Sequence, residues 1–167
     1  MSVVDFTFPN KDHNTLPKKQ NAGLLSLNEV LKESLRKAQR QVDNLQLIIR
    51  CEELPNIKAS HDEIVRLFDD LLGMILNHAP GSSRLFLHVD CEEETSDIID
   101  LSLDEGSKRY LIKFNTNIST HDNWKLVNSQ ALVNCKQILS RHNGNLIVND
   151  ISSTGCLFLL SLPGKFE

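Results

Sequence analysis

At 167 residues the chain is the size of one ordinary domain, long enough to bury a real core and too short for two generous ones. Hydrophobic residues make up 40% and charged residues 24%, the composition of a globular protein. A net charge of -4 offers no general attraction to nucleic acid or to an anionic membrane surface, so partners must be found by shape.

In chain order, residues 1–24 are predicted to form an extended arm, marked by Pro9, Pro17, Gly23 and the polar stretch Lys18 to Asn21, with the domain proper at 25–167. Within the arm Val4, Phe6 and Phe8 alternate with Asp5 and Thr7, the period of a half-buried strand that docks on this domain or on a second copy, unless the arm is a tail. Leu27, Val30, Leu31, Leu35, Ala38 and Val42 make one helical stripe over about Ser26 to Gln41. Leu45, Leu47 and Ile49 then alternate into a strand that ends at Glu53-Leu54-Pro55. Ser60 and Glu63 are predicted to form a capping box ahead of the stripe Ile64, Leu67, Phe68, Leu71, Leu72, Ile75 and Leu76, a helix closed by Pro80-Gly81.

Strands are expected at Leu85 to Val89, before an acidic break at Glu92-Glu93-Glu94, then at Ile99 to Leu103, and after the turn Asp104-Glu105-Gly106 again at Tyr110 to Phe114. A polar loop leads to a helix over about Trp124 to Arg141, with Asn143-Gly144 stopping it and the glycine assigned the positive φ. Leu146 to Val148 and Leu157 to Leu162 pair as a last hairpin. The order predicts an α+β two-layer sandwich: a mixed, mostly antiparallel sheet of about five strands with three helices on one face. Cys51, Cys91, Cys135 and Cys156 are too scattered for a zinc site and read as reduced thiols in the core. No signal-peptide pattern opens the sequence and no apolar run approaches the roughly 20 residues of a bilayer span, so a cytoplasmic protein without membrane insertion is expected.

Three segments carry a resemblance. Leu54-Pro55 followed by Asp62 resembles a leucine-proline, short loop and Asp; Asp70-Leu71-Leu72-Gly73-Met74-Ile75-Leu76-Asn77-His78-Ala79-Pro80 is similar to an Asn-Leu-Leu-x-Asn-Ala run ending in an aromatic, a small polar residue and proline; and Ile138 to Val148 with Ser152 to Pro163 resembles a helix ending at His-Gly-Gly and a strand ending in Leu-Pro. Together, over Ser26 to Pro163, they resemble the GHKL superfamily and in particular the ATP-binding catalytic domain of sensor histidine kinases. The resemblance implies a nucleotide pocket whose vestige is formed by Asp70, Met74, Asn77, His78, Asn115 and Asn117.

The resemblance also marks what has changed. Where the family has the Asn that holds magnesium, a hard cation needing oxygen, this chain has the thioether of Met74. The Asp that accepts from the adenine amino group aligns with Lys113 or Asn115, neither a charged acceptor. No glycine occurs between Gly106 and Gly144, so backbone amides meet a Cβ where phosphates would approach, and the loop Ser119 to Asn123 is too short for the family's lid. The expected function is a degenerate, non-catalytic binding or regulatory module in two-component-type signalling. It has no catalytic residue, metal or cofactor, and its partner is a kinase, a receiver domain or a second copy. The alternative is a divergent ATP-dependent histidine kinase, with ATP and magnesium held through Asp70, Asn77, Asn115 or Asn117. Ser60-His61-Asp62-Glu63 superficially resembles a phospho-acceptor motif but has no Arg-x-Pro continuation, and His61 reads as a first-turn helix residue.

Overall fold

The computed structural model describes residues 4–7, 23–42, 45–79, 84–94, 108–118, 128–152 and 155–166. The elements are β1 (Val4–Thr7), β2 (Leu24–Ser26), α1 (Leu27–Arg40), β3 (Gln46–Cys51), β4 (Asn56–Lys58), α2 (His61–Asn77), β5 (Arg84–Glu93), β6 (Lys108–Thr116), α3 (Gln130–Arg141), β7 (Asn145–Ser152) and β8 (Gly155–Gly164). The expected strand Ile99 to Leu103, the turn at Gly106, the loop Ser119 to Asn123, Trp124, Val127 and Pro80-Gly81 lie outside the described residues.

Among the described residues six strands form one sheet in the order β1-β3-β5-β6-β8-β7, parallel across β1, β3 and β5 and antiparallel across the rest. The sixth strand, β1, comes from the segment expected as an arm and pairs Val4 with Leu47 and Phe6 with Ile49. Alternation sorts the faces. Leu47, Ile49, Leu87, Val89, Ile112, Phe114, Phe158 and Leu160 are buried against the stripes of α1, α2 and α3, with the Phe68 and Phe114 rings 5.9 Å apart at the centre. Burying a ring of that size is worth about 1.5–3 kcal/mol. The opposite face carries no helix among the described residues and leaves Phe86 and Ile147 exposed.

Local chemistry explains most element ends. Ser26 caps α1 by accepting from the Glu29 amide, and Ser129 caps α3 by accepting from the Leu132 amide, so α3 starts later than the expected Trp124. A small sheet of β2 and β4, absent from the sequence reading, frames Leu54-Pro55; the Asn28 amide both donates to the Leu54 carbonyl and accepts from its N–H.

Three expectations are corrected. Ser60 stands at the N-cap of α2 but its hydroxyl makes no capping bond, and the Glu63 carboxylate is engaged by Arg141 and His142 instead. The acidic break is strand up to Glu93, since Lys113 and Lys108 on β6 neutralise Glu92 and Glu93. At the end of α3 it is Asn143, at φ 55°, that takes the left-handed conformation. Gly144 donates to the Leu139 carbonyl and Asn143 to that of Ser140, a complete Schellman closure. Gly144 is needed for closeness instead: a Cβ there would lie 2.5 Å from the Ser161 carbonyl oxygen.

Candidate functional site

The resemblance directs attention to the seam between α2 and α3, which run antiparallel and are fastened along their length. At one end the Ser129 hydroxyl donates to the Met74 sulfur at 3.3 Å while accepting from the Leu132 amide. In the middle the Cys135 thiol reaches the Leu67 carbonyl, and the Asn134 amide donates to Asp70 Oδ2 at 3.4 Å. At the far end Arg141 donates to Glu63 Oε1 and His142 Nε2 lies 2.8 Å from Glu63 Oε2. The Arg141 guanidinium, then the imidazole, hold the Glu63 carboxyl below its ordinary range.

The six expected site residues do not converge. Met74 is 3% exposed and belongs to the core. Asp70 opens on a surface groove of about 260 Å³ between α2 and α3, beside Glu63, Arg66, Asn134 and Arg141. Asn77 ends α2 in solvent, and His78 caps it, Nδ1 lying 2.8 Å from the Met74 carbonyl. Asn115 alternates with buried Phe114 and Thr116, so it stands on the open face, across the sheet from α2. Asn117 continues the β6 ladder by side chain, accepting from the Phe86 N–H at 2.9 Å and donating to the Arg84 carbonyl at 2.8 Å. Ser129 escaped the sequence reading, although a serine three residues ahead of a buried leucine is an ordinary helix-start signal.

No family model matches the sequence, and no curated protein matches it. Solved structures do match by shape. A mycobacterial sensor histidine kinase, MprB, superposes with a TM-score of 0.64 at 13% identity over 86% of this chain and 99% of that one. The catalytic domain of the histidine kinase ThkA gives 0.62 at 14% identity over 85% and 95%, and the ATP-binding domain of PrrB from Mycobacterium tuberculosis gives 0.59 at 14% identity over 86% and 98%. This is the histidine-kinase ATPase fold.

In this histidine-kinase ATPase fold the donor set decides what the seam can hold. A thioether and a hydroxyl bonded to each other offer a hard cation one weak oxygen, and the carboxylate of Asp70 is shared with Asn134. Among the described residues no group of three or more His, Cys, Asp or Glu could hold a metal ion. The residues present do not fit a magnesium-bridged triphosphate at position 74. His61, the first residue of α2, is exposed and lies 3.0 Å from Glu33 on α1. Burial pushes the Cys51, Cys91 and Cys135 thiols up to about 12, which leaves them protonated and unreactive at neutral pH. Among the described residues no helix is long and apolar enough to cross a membrane.

Proposed function

We propose that this chain is a non-catalytic protein-binding or regulatory module of two-component-type signal transduction, built on the histidine-kinase ATPase fold. The observation that carries the reading is Met74: at the place where the resemblance expects an oxygen ligand for magnesium, a buried thioether is engaged by the hydroxyl that starts α3. The relatives of similar shape are named as sensor kinases and ATP-binding domains, which supports a signalling partner such as a kinase or receiver domain. The absence of glycine between Gly106 and Gly144 points the same way, because phosphates bind bare backbone amides.

Thermal melting with ATP and magnesium titrated from micromolar to millimolar tests this. A ligand at 100 times its Kd adds about 2.7 kcal/mol, which for a chain of this size raises Tm by roughly 5–10 °C. The expected result is no shift. A saturable, magnesium-dependent rise overturns the reading.

A further inference from the structure

Among the described residues the parallel strand β1 pairs only with β3, through four residue pairs, and forms one border of the six-stranded sheet. It is not a hairpin continuation of its neighbour: residues 8–45 separate it in sequence from β3. Without β1, the outward N–H and C=O groups of Leu47 to Arg50 would stand open, and a row of unpaired backbone groups is a template for any extended chain of suitable pattern. The pattern that fits is written in the chain itself. Val4 and Phe6 are level with the buried Leu47 and Ile49, while Asp5 and Thr7 are level with Ile48 and Arg50.

From this arrangement we infer that the β3 border is a strand-acceptor site and that Val4–Thr7 is its tethered occupant. The partner is a protein segment in extended conformation with apolar residues at alternate positions, which enters parallel to β3 by displacing β1. A tethered strand competes at an effective concentration on the order of millimolar, so β1 sets a threshold that weak strands do not pass. The inference names a surface for the protein-binding role proposed above and rests on that role for its partner. It is independent of the nucleotide question: ATP binding would sink the non-catalytic reading and leave strand docking untouched.

The test uses the full chain and a fluorescent peptide of residues Val3 to Phe8. Alternate residues of an edge strand donate inward, so replacing both Asp5 and Phe6 by proline removes a ladder bond whichever of the two faces β3. The D5P/F6P chain is expected to bind the peptide at least about tenfold more tightly than the parent, since its own strand no longer competes. A peptide carrying the same two prolines is expected not to bind. On the unaltered chain, saturating peptide should accelerate amide exchange at Val4–Thr7 while Leu47 to Arg50 stay protected, a readout that holds even if the double variant folds poorly. Equal affinity for parent and variant, or unchanged exchange in β1, overturns the inference. Dimerisation that rises with concentration without peptide and disappears in D5P/F6P also overturns it, giving the border to a second copy.

Discussion

Replacing Met74 with asparagine restores the oxygen-bearing side chain that the resemblance expects, and the seam predicts what it costs. Met74 is 3% exposed, and burying a methionine is worth about 1.5–3 kcal/mol. The new amide would meet one established polar neighbour, the Ser129 hydroxyl, leaving buried hydrogen-bonding capacity unmet at about 1–3 kcal/mol. A loss of roughly 3–5 kcal/mol follows, which at a urea slope of about 2 kcal/mol per molar moves the unfolding midpoint down by roughly 1.5–2.5 M. Met74→Leu keeps the volume and should cost less than about 1.5 kcal/mol. Urea denaturation followed by circular dichroism, with and without ATP and magnesium, measures all of this. An M74N midpoint close to the parent, together with stabilisation by magnesium and ATP, would refute the reasoning by showing that position 74 faces a working pocket.

Gly73→Ala should raise Tm by about 1–4 °C, because an added Cβ meets nothing within 4 Å and alanine favours the helix interior by about 0.5–1 kcal/mol. Gly144→Ala should lower it, since its Cβ would collide with the Ser161 carbonyl and with Leu162 Cδ2 at 2.7 Å; melting curves of the two variants test the opposite signs. Glu63 titrates below its ordinary 4.5 in the folded state, so its contribution is full above that pH and is lost as the pH falls through 4.5 and below. Glu63→Gln should therefore flatten the acid limb of a stability profile measured from pH 7 to pH 3, and an unchanged limb would remove the clasp from the account.

The helical stripes were legible because each depends on its own residues: Leu27, Val30, Leu31, Leu35 and Ala38 recur every three or four positions, and all are buried. The strand period was equally plain in Leu85, Leu87 and Val89. What misled was chemistry settled at long range. Ser60 and Glu63 have the spacing of a cap, yet Arg141, 78 residues away, outbids the local amide. Asn143-Gly144 marks a stop, but Asn143 is the residue that turns left-handed, while Gly144 answers to the close approach of β8, a contact no local pattern reveals. The run Glu92 to Glu94 looked like a break because the lysines that tame it stand on another strand. For the site, the sequence exposed the odd thioether at position 74 but not Ser129 beside it, nor that Asn115 and Asn117 are taken up by the open face and by the β5 backbone.

The antiparallel course of α2 and α3 sets the positive start of each helix against the negative end of the other, and the carboxylate of Glu63 opposite Arg141 suits both poles. Latched by Met74 and Ser129 at one end and by Glu63 at the other, the two helices form a single strut. Sliding by one turn would break both latches at once, so the two helices move only as a pair.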